Sequence, residues 1–280
     1  MEMVVKEFHP SEEKQQFDYH YKEFPELFQR YVDKRLFYKY NSEGFRAEGE
    51  FIKDKSKKVD IFLGCSHTFG IGHYDEEIWP SIVAKDTGNY KINLGAPSTG
   101  IGTCYYNLLK YIDFYNVQNI FMFAPIVPRF TFFFPDFSQG TFNPAWPIAW
   151  MNQGPYKDEY YKTILTDDRM IYLNHMQFVH SIAWLAHSRG VTFYHKHEFP
   201  KRSYRSFIKY ERGHKNGVRI LEVSPDFPKD KVTLPRDGVH LCVEDMKQLG
   251  DDMIHLKNTY KEGYIEPIPY IDKIFAKKIP

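Results

Sequence analysis

The sequence lacks several features that mark specialised classes of protein. Among its 280 residues there are three cysteines, Cys65, Cys104 and Cys242, which are odd in number and widely spaced. Such cysteines form neither a disulfide framework nor a metal cluster, which favours a reducing compartment. Lys and Arg together number 37 and Asp and Glu 36. The resulting net charge of +1 gives no electrostatic reason to expect a nucleic-acid or membrane-surface partner.

Long hydrophobic runs and an export signal are also missing. The longest apolar stretch, Ile120–Val127, contains Pro125 and is far too short to span a bilayer. The first residues, MEMVVKEFHPSEEKQQ, carry Glu, Lys and His where a signal peptide needs an apolar core. We therefore expect a protein that is cytoplasmic, or part of a particle assembled in the cytoplasm, with no signal peptide and no transmembrane segment.

The chain divides into regions of different character. Residues 1–58 are polar and charged and contain one amphipathic candidate helix opened by Pro25, so we expect an N-terminal extension packed on the main domain. In residues 59–280 apolar strands alternate with helices, which predicts one domain built on a parallel sheet covered on both faces. Aromatic residues make up 18% of the chain and crowd a non-periodic segment at about 125–166, which we expect to be an inserted segment.

Strand and helix patterns alternate along the main domain. The predicted strands are Val59–Leu63, Lys91–Leu94, Asn119–Ala124 and Val191–His195, and the predicted helices are Gly102–Tyr115, Asp168–Arg189 and Val243–Leu256. Short apolar runs bounded by small or polar residues are typical of buried strands. The strand at 119–124 is the most apolar, so we place it at the centre of the sheet.

The most informative stretch is VDIFLGCSHTFGIG, residues 59–72. Its apolar run ends abruptly in small residues, and Gly64 can adopt the positive φ that a sharp turn requires. This geometry places Ser66 at the carboxyl edge of the sheet, where open α/β folds bind their ligands. We therefore predict that Ser66 is a nucleophile.

Two further segments supply the other groups that acyl transfer needs, namely a base, a group that orients it, and donors for the oxyanion. Asp237 and His240 precede the last helix, with Gly238 between them. The Asp237 carboxylate can therefore fix the tautomer of an imidazole that faces Ser66. Gly95 follows the second strand, and no side chain keeps a substrate away from its amide. The amides of Ser66 and Gly95 are the predicted oxyanion donors.

Each segment by itself also has an ordinary structural interpretation. The glycine-containing turn at 64–66 fits any strand-to-helix connection, residues 237–240 fit a common turn with a solvated histidine, and residues 93–95 fit a strand end. Their placement favours catalysis, because all three fall at carboxyl ends of the predicted sheet or in the loop before the last helix.

The same segments resemble the motif blocks of a known enzyme family. Gly64-Cys65-Ser66-His67-Thr68-Phe69-Gly70, Asn93-Leu94-Gly95 and Asp237-Gly238-Val239-His240 are similar to the first, second and last blocks of the SGNH (GDSL-type) hydrolases. The resemblance spans Asn41 to Leu256. It implies an α/β fold, specifically a three-layer α/β/α sandwich with a mainly parallel, flavodoxin-like sheet. It also implies Ser-His-Asp catalysis, ester substrates and no cofactor.

Two positions depart from the family's pattern. Cys65 stands where the family has Asp, and Ala124-Pro125 replaces the third block, in which an Asn donates to the oxyanion. Proline has no amide hydrogen, and loss of one oxyanion donor typically costs about 10²–10³ in rate. We expect Arg129, which follows the central strand closely, to contact the substrate or the oxyanion instead. A structural salt bridge on the surface is an equal alternative for Arg129.

These observations favour a serine esterase or deacylase that cleaves an O-acyl ester. The density of aromatic residues favours a carbohydrate or small acyl ester over a long-chain lipid. Two alternatives remain open, an O-acyltransferase that uses the same residues and a non-catalytic SGNH-like module for binding or assembly. The aromatic segment is expected to serve as a sugar platform, an acyl lid or a surface for self-association, unless it simply packs as a buried subdomain.

Other candidate sites are weaker. His195-Lys196-His197, with His187 and His214, matches no standard set of metal ligands, so we predict no metal and treat these histidines as core or solvated residues. The basic run Lys201–Arg219 is best explained as a solvated face.

Overall fold

The computed structural model of the protein describes residues 3–10, 12, 14–51, 54–125, 129–133, 139–142, 168–197, 208–215, 218–224, 228, 231–238 and 240–267. The strands are β1 (Val4–Lys6), β2 (Tyr38–Tyr40), β3 (Lys58–Gly64), β4 (Tyr90–Asn93), β5 (Asn116–Phe123), β6 (Phe130–Phe133), β7 (Gln139–Phe142), β8 (Thr192–Lys196), β9 (Ile208–Lys215), β10 (Val218–Val223) and β11 (Tyr264–Ile265). The helices are α1 (Lys14–Glu23), α2 (Pro25–Asp33), α3 (Ser66–Phe69), α4 (Trp79–Thr87), α5 (Ile101–Tyr111), α6 (Asp168–Ser188) and α7 (Val243–Thr259), with 3₁₀ turns at Asp75–Glu77 and Ile112–Phe114.

The centre of the fold is a five-stranded parallel sheet in the order β11-β8-β5-β3-β4. Counted along the chain, this is the flavodoxin-like strand order 2-1-3-4-5, which reverses direction between β3 and β5. Ligands of such sheets bind outside the carboxyl ends of the strands at that reversal. The predicted fold class is confirmed, and the strand at 119–124 lies in the middle of the sheet, as expected.

Helices cover both faces of the sheet because successive strand residues alternate between two apolar cores. Ile61 and Leu63 of β3 belong to a core shared with α5 and α6, whereas Phe62 faces a second core with α4 and α7. In the second core the Phe62 and Phe121 rings stack with their centroids 5.5 Å apart, and Phe121 stacks on Tyr194 at 5.1 Å. The three layers are therefore held together by continuous apolar packing.

One charged residue interrupts the otherwise apolar interior of β3. Asp60 of β3 is fully buried, and its Oδ1 accepts hydrogen bonds from the side-chain amides of Asn89 (2.9 Å) and Asn119 (2.8 Å). Asn89 directly precedes β4 and Asn119 lies in β5, so the carboxylate joins β3 to both of its neighbours. A buried carboxylate needs such donors, because an unsatisfied charge in the interior is strongly unfavourable.

The N-terminal residues pack against the chain that follows β3 and the chain that precedes α7. Their buried side chains form a third apolar cluster with residues from these two segments, consisting of Leu27, Phe28, Tyr31, Leu36, Tyr38, Phe69, Ile71, Tyr74, Val232, Leu234 and Cys242. The hydroxyl of Tyr31 lies 3.0 Å from the carbonyl oxygen of Gly72 and 2.7 Å from that of Leu234, and it donates to this pair of acceptors. One side chain of α2 thus joins two segments that are far apart in sequence.

A buried ion pair strengthens this contact. Arg236 Nη2 lies 2.9 Å from Glu12 Oε2, and both side chains are 3% exposed. The guanidinium also donates to the carbonyl oxygens of Leu36 (2.9 Å) and Glu7 (2.5 Å). Its carbon lies 4.2 Å from the centre of the Phe8 ring. The N-terminal segment therefore encloses the residue that directly precedes Asp237.

Two hairpins were not predicted from the sequence. β6 and β7 pair antiparallel inside the aromatic segment, and β9 and β10 pair antiparallel inside the basic region. Most of the aromatic segment, residues 134–138 and 143–167, lies outside the described residues. In α2, Leu27, Phe28 and Tyr31 are buried, whereas Val32 is 45% exposed. No helix in the described part of the chain is long and apolar enough to cross a membrane.

We expect Glu12→Ala to lower the free energy of unfolding by about 3–5 kcal/mol, because it leaves the Arg236 guanidinium buried without its counter-charge. The matched control is Glu76→Ala, which removes the partner of Lys34 from a pair whose side chains are 64–66% exposed. That change is expected to cost at most about 1 kcal/mol. Urea denaturation measures both values. Equal losses for the two variants would contradict the structural role of the buried pair.

Candidate active site

The turn after β3 has no room for a side chain at its first residue. Gly64 has a φ of +153°, and a Cβ at this position would lie 2.0 Å from Thr68 Oγ1 and 2.5 Å from the carbonyl oxygen of Phe123. The glycine therefore allows the chain to turn from β3 directly into α3. Ser66 is the first residue of this short helix, and it is 7% exposed. Its Oγ lies 3.9 Å from Cys65 Sγ.

Asp237 and His240 form a directly bonded pair in the loop before α7. His240 Nδ1 lies 2.5 Å from Asp237 Oδ2, and the His240 backbone amide donates to Asp237 Oδ1 at 3.3 Å. Gly238, at a φ of +66°, donates its amide to Pro235 and closes the turn between them. The side chains are 9% and 15% exposed for Asp237 and His240, respectively. The pair is thus partly shielded from water, and one imidazole nitrogen is held by the carboxylate.

The turn that carries Ser66 and the loop that carries Asp237 and His240 lie against each other. The rings of His67 and His240 meet edge to face, with centroids 5.0 Å apart and planes inclined by 70°. The Arg236 amide donates to the carbonyl oxygen of Gly72 at 2.9 Å. Among the described residues, however, no hydrogen bond joins Ser66 Oγ to the His240 ring. Catalytic hydrogen bonds are often long without substrate, so this arrangement is compatible with a nucleophile and base that engage when substrate binds.

Gly95 lies against α3, and its amide already donates a hydrogen bond. The Gly95 amide donates to Asn93 Oδ1 at 3.0 Å, and Asn93 Nδ2 in turn donates to the carbonyl oxygen of Thr68 at 2.8 Å. A Cβ on Gly95 would approach the Phe69 backbone nitrogen to 2.6 Å. The geometry therefore gives Gly95 a packing role beside α3, while its role as an oxyanion donor stays a prediction. The Ser66 amide lies at the first position of α3, where helical amides have no intrahelical acceptor.

Arg129 follows β5 and lies beside the loop that connects β4 to α5. Its Nη1 is 3.5 Å from the Thr99 carbonyl oxygen, and its own carbonyl lies beside Gly100. The described part of the chain shows no ion pair for this guanidinium. The loop follows the strand next to β3, so Arg129 lies near the carboxyl edge of the sheet.

Several residues around the site were not identified from the sequence. His73 is fully buried and its Nε2 lies 2.7 Å from the carbonyl oxygen of Leu241, next to His240. Burial lowers the pKa of His73 to about 3. Arg46 donates to the carbonyl oxygens of Gly70 (2.5 Å) and His73 (2.7 Å), and so caps the carboxyl end of α3. Isolated histidines and arginines carry no sequence signal for such contacts, which are made only in the folded chain.

The histidines considered as metal ligands do not form a metal site in the described part of the chain. His195 is fully buried, with ring centroids 6.4 Å from His175 and 5.7 Å from His197. The His195 and His197 planes are stacked at 23°, rather than converging on a common point. Burial and the neighbouring imidazoles lower the pKa of His195 well below its usual value, so it is an uncharged core residue.

We expect Gly95→Ala to lower the free energy of unfolding by about 1–3 kcal/mol, because its Cβ would overlap the backbone of α3. Gly49→Ala is the control, since a Cβ there meets nothing within 4 Å. The control should change stability by at most about 0.5–1 kcal/mol. Urea denaturation tests both variants, and a neutral effect of Gly95→Ala would contradict the tight packing.

Acid should destabilise the protein through His73. The unfolded pKa is 6.5 and the folded pKa about 3, so the unfolded chain binds more protons between these values and the free energy of unfolding falls as the pH falls. Between pH 7 and pH 5 this residue accounts for roughly 2 kcal/mol. In His73→Gln, the loss of stability over this interval should be smaller by that amount. His187→Gln, at an exposed position on α6, should leave the pH dependence unchanged.

Comparison with known proteins does not assign the chain to a family. No protein-family model matches the sequence, and no curated protein matches it significantly. Any chemistry proposed for the chain therefore depends on the geometry of the site itself.

Proposed function

We propose that this chain is a serine esterase or deacylase that cleaves an O-acyl ester and that belongs to the SGNH (GDSL-type) hydrolases. Ser66 is the nucleophile, His240 the general base and Asp237 the residue that orients it. The proposal depends mainly on one observation, the 2.5 Å contact of Asp237 with His240 Nδ1 in a loop that lies against the nucleophile turn. Both segments lie at the end of the sheet where ligands of this strand order bind.

The proposed mechanism follows from the way Asp237 holds the imidazole. A carboxylate at Nδ1 favours the tautomer with a proton on that nitrogen, so Nε2 carries the lone pair that accepts the Ser66 proton. The Ser66 oxygen then attacks the ester carbonyl, and the His240 imidazolium returns the proton to the departing alcohol. Water, activated by the same nitrogen, releases the acid from the acyl-enzyme and restores Ser66. Asp237 stabilises the imidazolium in both halves of the reaction.

Stabilisation of the oxyanion is assigned to the Ser66 amide and, as a second donor, the Gly95 amide. Because Gly95 now donates to Asn93 Oδ1, its use requires that this hydrogen bond be exchanged for one to the oxyanion. Arg129, near the carboxyl edge of the sheet, is the proposed replacement for the asparagine donor of the family. A charged donor is roughly twice as strong as a neutral one, so a single arginine can substitute for an amide.

The substrate class is proposed from the aromatic content of the chain and from its resemblance to the SGNH hydrolases. The crowding of aromatic residues at about 125–166 favours a carbohydrate or other small acyl ester, because aromatic rings bury the apolar faces of sugar rings at a moderate entropic cost. Acyl transfer to a sugar uses the same residues and differs only in which acceptor reaches the acyl-enzyme. Incubation with an acylated sugar and a second sugar distinguishes the two reactions by their products.

A non-catalytic binding or assembly module is the second candidate. Two observations favour it, the missing hydrogen bond between Ser66 Oγ and His240 and the engagement of the Gly95 amide by Asn93. In that case the scaffold and the Asp237–His240 pair are retained for structure, and Ser66 has no unusual reactivity.

A fluorophosphonate probe separates the two candidates. We expect the wild-type protein to be labelled and Ser66→Ala to be unlabelled, because the probe reacts with an activated serine. His240→Ala and Asp237→Asn should slow labelling at least about 10³-fold, because they remove the base or its tautomeric control. Ser181→Ala is the control, since its hydroxyl donates to the backbone carbonyl oxygen of Gln177 in its own helix.

The outcomes of the labelling experiment are distinct. Labelling that is lost in Ser66→Ala and retained in Ser181→Ala supports the esterase. If the wild-type protein resists the probe, and Ser66→Ala has the same stability and binding as the wild type, the binding module is the better candidate.

A further inference from the structure

His67, the residue after the proposed nucleophile, is in direct contact with the proposed base. It is the second residue of α3, and it is buried. Its ring meets the His240 ring edge to face, with centroids 5.0 Å apart and planes inclined by 70°. Aromatic rings at such distances prefer this arrangement to face-to-face stacking. A side chain of α3 therefore packs directly on the imidazole that has to accept the Ser66 proton.

The His67 ring is itself packed against the end of β5. It meets the ring of Phe123 edge to face, with centroids 6.1 Å apart. Phe123 is the last residue of β5, is buried, and pairs in register with Gly64 of β3. The turn into α3 is closed by the Phe69 amide, which donates to the Cys65 carbonyl oxygen at 2.9 Å. Side chains in such close-packed surroundings sit in defined rotamers, so His67 presents a fixed surface to its neighbours.

His240 needs a second contact because its hydrogen bond to Asp237 does not fix the ring completely. That bond holds Nδ1 at 2.5 Å from the carboxylate. The ring can still tilt about a single hydrogen bond, and a tilt moves Nε2 relative to Ser66. Within the described residues no hydrogen bond between Ser66 Oγ and the His240 ring restrains this tilt. A displacement of about 1 Å at a reacting group can cost about 10²-fold in rate.

We propose that His67 is a positioning residue of the site, whose ring packs against His240 and sets the tilt of that imidazole toward Ser66. This inference rests on the proposed esterase function, since it concerns the same nucleophile and base. His67 acts through the shape of its ring, and it neither accepts nor delivers a proton in the reaction. An apolar aromatic ring can therefore replace it, whereas a polar side chain without a ring cannot.

The first test compares the rate of fluorophosphonate labelling in three variants. His67→Ala removes the ring and should slow labelling about 10- to 100-fold. His67→Phe keeps a ring of similar size and should be labelled within about threefold of the wild-type rate. His67→Gln keeps a polar group without a ring and should be as slow as His67→Ala. If His67→Gln recovers the wild-type rate and His67→Phe does not, the side chain acts through a hydrogen bond and the proposal is wrong. This comparison holds even where His67→Ala does not fold.

The matched control is His20→Ala. His20 is a buried histidine of α1 whose ring lies 5.6 Å from that of Phe28, so its truncation opens a similar space in a different part of the molecule. It should cost stability in urea denaturation but leave the labelling rate of the folded protein within about threefold of wild type. Equal slowing in the two alanine variants would mean that general loosening of the fold is responsible, and the positioning role would be refuted.

A second measurement does not require catalysis. An aromatic ring shifts the proton resonances of groups packed against it, so the carbon-bound ring protons of His240 report the contact with His67 by NMR. These resonances should move in His67→Ala and stay in place in His20→Ala. If they are unchanged in His67→Ala, the inference fails whatever the probe shows.

The two measurements together separate this inference from the proposed reaction. If the wild-type protein resists the probe while the His240 resonances respond to His67→Ala, the esterase proposal fails and the positioning of the His240 ring by His67 stands. If the wild type is labelled and His67→Ala is labelled equally fast, the esterase proposal stands and the positioning role fails.

Discussion

The buried ion pair between Arg236 and Glu12 determines where one half of the proposed site lies. Burying two charges costs several kcal/mol in desolvation, and the interaction becomes favourable only when the geometry is good and the remaining donors are satisfied. Here Nη1 and Nη2 of Arg236 also donate to the carbonyl oxygens of Leu36 and Glu7, respectively. These contacts hold the N-terminal segment against the chain that precedes α7. Because Asp237 follows Arg236 directly, its backbone is fixed by the same requirement.

The other half of the site is held by the same region of the chain. Arg46 caps α3, and the Tyr31 hydroxyl joins Gly72, which follows α3, to Leu234, which precedes Asp237. The parallel sheet brings both segments to one edge, but it does not by itself fix the distance between them. That distance is set by side chains from residues that precede the sheet, so the N-terminal region acts as a bridge between the halves of the site.

Much of the architecture could be predicted because its signals are local. Bounded apolar runs identified the central strands, and the short spacing of Asp237 and His240 around a glycine indicated a side-chain contact within one turn. The β6–β7 and β9–β10 hairpins were missed because their strands carry no clear alternation in segments dominated by aromatic or basic residues. The contact between Glu12 and Arg236 could not be predicted at all. It joins residues 224 positions apart, and no local pattern encodes such a pairing.

The carboxylate of Asp60 has a consequence for how the chain finds its native sheet. An almost uniformly apolar strand pairs nearly as well after a shift along its neighbour, so hydrophobicity alone specifies alignment weakly. A shift of one position in β3 would carry this charge to the opposite face and away from Asn89 and Asn119, which lie on the two adjoining segments. A misaligned sheet therefore leaves an ion in hydrocarbon without donors, which makes it energetically unfavourable.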